Sequence, residues 1–187
     1  MKKSLILTCL VATLIFFSSC EEDVTASISV PANFSVTFPV LAETVNADPD
    51  NLLSGSQTVD VANLVDADGN QIESIKIDKL TYELSGYNNT SGNFVLADIT
   101  INTVVDGNDV PILAITGFIV ENTGTLLLFE DGNPESALSA AQVASLESIM
   151  DNLTPFEIEI SGDFTDDIDS NFNIGLAWEI TATATAN

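Results

Sequence analysis

The sequence predicts an all-β protein: an antiparallel β-sandwich, Ig-like or a related Greek key, of about eight strands with one crossover helix. Three observations carry that expectation. Apolar and polar residues alternate with period two along most of the chain, Gly-, Asn- and Asp-rich turns separate the alternating runs, and a single segment has helical spacing. A closed β-barrel is the alternative arrangement of the same elements.

The elements follow in chain order. Phe34, Val36, Phe38 and Val40 alternate with Ser35, Thr37 and Pro39, and the proline predicts an edge strand, where a missing N–H does least harm. Val59 and Val61 mark a short strand. Ile72, Ile75 and Ile77 lead to Leu80, Tyr82 and Leu84; the apolar phase changes at Asp78-Lys79, which predicts a β-bulge there. Phe94 and Leu96 lead into Ile99 and Ile101, with a second phase slip expected near Asp98. Val110 to Val120 and Thr125 to Phe129 are apolar at successive positions, as central strands covered on both faces would be.

Ser139-Ala140-Ala141-Gln142 has capping-box spacing, and Val143, Leu146, Ile149, Met150 and Leu153 recur at helical intervals up to Pro155. This predicts a helix acting as a lid over one end of the core. Phe156, Ile158, Ile160 and Phe164, then Phe172, Ile174, Leu176, Trp178 and Ile180, form the clearest hairpin-like pair.

The first twenty residues differ from the rest. Met1-Lys2-Lys3 is a basic start, Ser4 to Phe17 is nearly continuous apolar sequence too short for a comfortable membrane span of about 20 residues, and Ser18-Ser19 precede Cys20. Residues 1–19 read as a cleaved export signal. Phe17-Ser18-Ser19-Cys20 resembles the lipobox of bacterial lipoproteins, with Phe17 in place of the usual aliphatic residue. The resemblance implies that Cys20 is lipidated and becomes the mature N-terminus. Glu21-Glu22-Asp23 is similar to the acidic export tag of surface-exposed lipoproteins in Bacteroidetes, which implies the outer face of the outer membrane; the periplasmic face is the alternative. Residues 20–26 then form a lipidated acidic tether of at most ~25 Å, and residues 27–187 a single domain.

Composition removes whole classes of chemistry. The chain has 187 residues with 28 acidic, four basic and no His; removal of residues 1–19 leaves 168 residues and two lysines, a side-chain charge of −26. With no Arg and so few lysines, nucleic acid is a poor partner, because nothing neutralises a run of phosphates. The absence of His removes imidazole bases, Ser-His-Asp or Cys-His nucleophile systems and imidazole zinc ligands. Cys9 and Cys20 leave the domain without a disulfide.

Several residues are candidates for a site. Asp66, Asp68 and Asn70 present oxygen side chains at alternate positions, as calcium loops begin, although Gly69 is misplaced for an EF-hand and Ile77 stands where its bidentate Glu belongs. The Asp-Gly-Asn triplets at 68–70, 106–108 and 131–133 are first of all turn chemistry. Asp163, Asp166, Asp167 and Asp169 form a second acidic cluster, for which calcium is the candidate ion and a hydrated loop the plain explanation. Glu157 and Glu159 lie roughly 7 Å apart on one strand face, a spacing compatible with a glycoside hydrolase but shared by any exposed strand. Lys76 and Lys79 are explained by exposed ion pairs with neighbouring carboxylates. Tyr87, in the loop Gly86 to Asn93, is the aromatic candidate for a ligand contact.

These features predict a non-catalytic lipoprotein of the outer membrane that binds a glycan or an outer-membrane protein partner through an edge strand or end loop. A carrier enclosing an apolar ligand between the doubly apolar strands is the alternative, and a carboxylate-based glycoside hydrolase ranks third.

Overall fold

A computed structural model describes residues 27–42, 52–65, 71–105 and 108–185. The export signal and tether, Cys20, and the candidate ligands Asp66, Asp68 and Asn70 lie outside the described residues, as does most of the 106–108 turn. The strands are β1 (Ser27–Val40), β2 (Leu53–Val59), β3 (Gln71–Ser85), β4 (Leu96–Val105), β5 (Asn108–Ile119), β6 (Leu126–Glu130), β7 (Phe156–Phe164) and β8 (Phe172–Thr185), with helices α1 (Val61–Leu64) and α2 (Ala140–Asp151). Two four-stranded antiparallel sheets result, ordered β1-β8-β3-β6 and β2-β7-β4-β5.

That order has a simple logic: β1 pairs with β8, β2 with β7, β3 with β6 and β4 with β5. The chain is one long antiparallel ribbon, turned at β4–β5 and wrapped so that its strand pairs alternate between two layers. This is the jelly roll, two Greek keys in one sandwich. The expected antiparallel sandwich is therefore present, in jelly-roll rather than Ig-like order and as two sheets rather than one closed barrel.

Alternation decides which face is buried. Val36, Phe38 and Val40 of β1, Ile174, Leu176, Trp178 and Ile180 of β8, and Ile75, Ile77, Leu80 and Leu84 of β3 meet Ile99 and Ile101 of β4 and Phe156, Ile158, Ile160 and Phe164 of β7 in one core. Each such side chain contributes about 1.5–3 kcal/mol by leaving water. β1 is an edge strand, as Pro39 predicts. The β3–β8 ladder skips Asp78, so the predicted bulge is there, and a second one falls at Glu73.

Four expectations are corrected. β5 and β6 are edge strands, one in each sheet, not central ones. Their successive apolar residues come from bulges: the β4 ladder passes Ile112 and the β3 ladder passes Leu128, and both side chains are buried. An extra residue turns the next apolar position inward too, so a run that looks two-faced still serves one core. β4 itself keeps one phase, with Val95, Ala97, Ile99, Ile101 and Thr103 all buried. The extra residue near Asp98 belongs to β5, where Ala97 pairs with Phe118 and Ile99 with Ile115; Gly117 takes φ 60° there and donates its N–H to Asp98 Oδ1 at 2.6 Å. Finally, β7 and β8 lie in opposite sheets and form no hairpin, and Val61, expected in a strand, starts α1, N-capped by Asp60.

The helix α2 has the capping box its sequence predicts, with Ser139 and Gln142 exchanging bonds, and buries Val143, Leu146, Ile149 and Met150. It covers the side of the sandwich between β3 and β5 instead of an end. β6 pairs with β3 only from Lys79 to Tyr82. Beyond it the helix carboxylates take over: Ile77 N–H donates to Glu147 Oε1 at 2.9 Å and Ile75 N–H to Asp151 Oδ1 at 2.5 Å.

Candidate functional site at the loop end

The ladders define two ends. Ser27, Gln71 and Thr185 meet at one, and Val40, Phe172 and Ser85 at the other. The second, called here the loop end, gathers the connections that leave Ser85, Ile119 and Phe164. They are tied together by side-chain bonds to backbone. Tyr87 N–H donates to Asn122 Oδ1 at 2.8 Å while Asn122 Nδ2 donates to the Tyr87 carbonyl at 2.7 Å. Asn88 N–H donates to Ser170 Oγ, and Leu84 N–H to Thr123 Oγ1.

Asp169 is the main tie. One of its oxygens accepts from Thr90 N–H at 3.0 Å, Ser91 N–H at 2.8 Å and Ser91 Oγ at 2.8 Å. The Ser91 bonds, with Thr90 adding to them, hold its carboxyl below the usual carboxylate range. A depressed folded-state value means that the stabilisation is present above the unfolded carboxyl's range near pH 4 and disappears as pH falls through the lower folded value. Accordingly, Asp169→Ala destabilises the protein at neutral pH by an amount that shrinks as pH is lowered below the usual carboxyl range; a loss that does not change with pH would show that the carboxylate is not the tie.

The acidic cluster predicted around it does not converge. Asp163 is on the outer face of β7, opposite Asp98 of β4, Asp166 and Asp167 are exposed, with Asp167 N–H bonded to Asp166 Oδ1, and Asp169 faces the Ser91 loop. Among the described residues no three carboxylates are grouped to hold a metal ion. Asp131-Gly132-Asn133 is a turn, with Gly132 at φ 74° and Asn133 N–H on the Glu130 carbonyl. Lys76 pairs with Asp131 at 2.5 Å and Lys79 with Glu130 at 3.7 Å, carboxylates from this turn rather than the sequence neighbours Glu73, Asp78 and Glu83.

Tyr87 is corrected from a surface contact to a core residue. It is buried, edge-on to Phe172 at 5.7 Å, and its hydroxyl has no hydrogen-bond partner. An orphaned buried hydroxyl costs what its desolvation costs, so Tyr87→Phe leaves stability, read from the chemical denaturation midpoint, unchanged or raised by up to about 1 kcal/mol. A loss above that size would reveal a missing partner.

Glu157 and Glu159 are exposed on the outer face of the β2-β7-β4-β5 sheet. The shallow groove beside Glu159, about 390 Å³, is lined by Ser54, Gly55, Ser56, Asn102, Ile160 and Ser161. No aromatic side chain is in that lining to stack on a sugar ring. A second open groove of about 390 Å³ crosses the other sheet over Gly175 and Ala177, between Ser35 and Thr37 on one side and Thr81, Glu83 and Ser85 on the other.

The loop end also carries the features that sequence reasoning missed. Phe94 is 75 % exposed and Leu52 52 %, with Leu41, Leu96, Ile119 and Leu126 also exposed. Phe94 and Leu96 were expected to point inward with Ile99 and Ile101. The signal for the correct phase is that Val95 and Ala97 lie an even number of residues from Ile99, so their side chains share its face and Phe94 and Leu96 take the other. Leu96 and Ile119 are direct partners on adjacent strands.

No family model and no curated protein matches the chain. Among solved structures, the decameric BFDV capsid protein is similar over 84 % of this chain and 99 % of its own, at 9 % identity and a TM-score of 0.40. Cocksfoot mottle virus aligns over 86 % and 85 %, at 12 % identity and 0.39, and turnip yellow mosaic virus over 87 % and 96 %, at 11 % and 0.34. Likenesses of this size carry no functional inference.

Proposed function

We propose that the protein is a non-catalytic, lipid-anchored outer-membrane module, displayed at the cell surface, that holds a protein partner at its loop end. One observation carries the reading: six of the eight large apolar side chains exposed among the described residues, Leu41, Leu52, Phe94, Leu96, Ile119 and Leu126, lie at the end opposite Ser27. Anchored through Cys20, a domain whose first strand begins at Ser27 turns its other end toward the lipid and this one away from it. The connections there are cross-tied, which presents the apolar residues on a preorganised frame. The carrier alternative loses its support, since the strands expected to line a cavity are bulged edges whose extra residues fill the core. The glycan alternative loses Tyr87, although the polar trough over Gly175 keeps hydroxyl groups available.

Protease shaving of intact cells, followed by purification of the anchored protein in mild detergent, tests the reading. Digestion from outside and a co-purifying membrane protein lost on Phe94→Ser are expected. Full protection from protease, or a Cys20→Ser form that stays membrane-bound and equally exposed, would overturn it.

A further inference from the structure

We infer that the outer face of the β2-β7-β4-β5 sheet at the loop end is a docking surface for a cationic, amphipathic segment of a partner protein, in which a Lys or Arg sits between apolar residues. The inference deepens the proposed function and rests on it for its setting. The surface has three parts in a row. Leu52 lies at one side, beside a shallow groove of about 280 Å³ lined by Leu53, Asp98, Thr100, Ser161, Gly162 and Asp163. Asp98 and Asp163 occupy the middle as direct partners on β4 and β7. Leu96 and Ile119, direct partners on β4 and β5, lie beyond them with Phe94 two residues before Leu96.

Charge complementarity selects the occupant. Two exposed carboxylates facing each other across a ladder repel, and the described cations are engaged elsewhere, Lys76 with Asp131 and Lys79 with Glu130. Glu121 adds a further exposed carboxylate next to the apolar residues. An anionic lipid surface or a second copy of this chain, each bringing negative charge, is repelled by the same groups. A basic group over the Asp98–Asp163 pair, with apolar neighbours reaching Leu52 on one side and Phe94, Leu96 and Ile119 on the other, satisfies both halves of the surface. Docking is by side chains and not by strand addition, because the bulges at Ile112 and Gly117 break the regular edge of β5.

The probe is a labelled 12-residue peptide of alternating Leu and Lys, read by fluorescence anisotropy against the full chain in nanodiscs of neutral lipid, with a Leu/Glu peptide of equal length as control. Saturable binding of the Leu/Lys peptide alone is expected, weakened at least tenfold by Phe94→Ser with Ile119→Ser, and at least tenfold by Asp98→Asn with Asp163→Asn. Glu135→Gln with Glu179→Gln, the latter exposed on β8 of the other sheet, removes as much charge elsewhere and should change affinity less than twofold. Equal weakening by both charge-removing pairs would reduce the effect to attraction toward a −26 body and overturn the inference, as would binding of the Leu/Glu peptide, indifference to the Phe94/Ile119 pair, or no binding. Self-association of the free protein through this face, lost in the Phe94/Ile119 pair, would overturn it in favour of a second copy. Shaving of intact cells reads surface display independently of every one of these outcomes.

Discussion

Replacing Glu147 and Asp151 together by alanine lowers stability by about 3–5 kcal/mol, measured as a shift in the guanidinium midpoint. Each carboxylate accepts an N–H of β3 that no strand reaches, Ile77 for Glu147 and Ile75 for Asp151. A part-buried hydrogen bond to a charged group contributes about 1.5–3 kcal/mol, and removal of its acceptor also leaves the amide to be desolvated alone. The two changes couple, because both loosen the seat of one helix. Glu147→Gln with Asp151→Asn keeps an acceptor at each position and should cost less than half as much. If the amide pair costs as much as the alanine pair, negative charge and not the acceptor is what holds the helix.

Trp178→Ala costs about 3–5 kcal/mol. Trp178 is 1 % exposed at the middle of β8 and stacks on Phe34 of β1, with ring centroids 5.4 Å apart and planes within 8°. Truncation empties a site between the sheets and strips Phe34 of its platform. Its indole N–H is buried without a partner, so Trp178→Phe gives up area but also removes an unsatisfied donor, and its cost should stay near 1–2 kcal/mol. Similar losses for the two variants would mean that the N–H has found water. Against a typical total of about 5–15 kcal/mol, the alanine variant is the one expected to abolish folding at elevated temperature.

The fold class was legible because the alternation is clean where strands pair without interruption, in β1, β7 and β8. It misled where bulges intervene. At Asp78 the slip lay in a long strand with regular spacing on both sides and could be read; at Ile112 and Leu128 the inserted residue is itself apolar, so insertion and double burial give the same pattern. The step from Ile72 to Ile75 carried the Glu73 slip in the same form as Asp78. Strand order was beyond reach, since the β1–β8 and β3–β6 ladders leave no trace in local sequence. The candidate site was less legible still. Asp169 looked like one carboxylate among four, and only the fold brings Thr90 and Ser91 to it. Phe94 read as core with Leu96 because a slip expected near Asp98 set both in phase with Ile99, although Val95 and Ala97 already hold that phase. Tyr87 read as surface because its neighbours are polar, although its ring alone turns in to meet Phe172.

The pairing of β1 along its whole length with β8, from Ser27↔Thr185 to Val40↔Phe172, also governs when the molecule can exist. A nascent chain makes β1 first and its ladder partner last, so Val36, Phe38 and Val40 have no sheet to join until synthesis has passed residue 185. Closure over so long a separation is slow, and the unpaired first strand is meanwhile open to wrong partners. The fold is therefore completed only once β8 is free to pair with β1, and until then the chain stays open to holding factors.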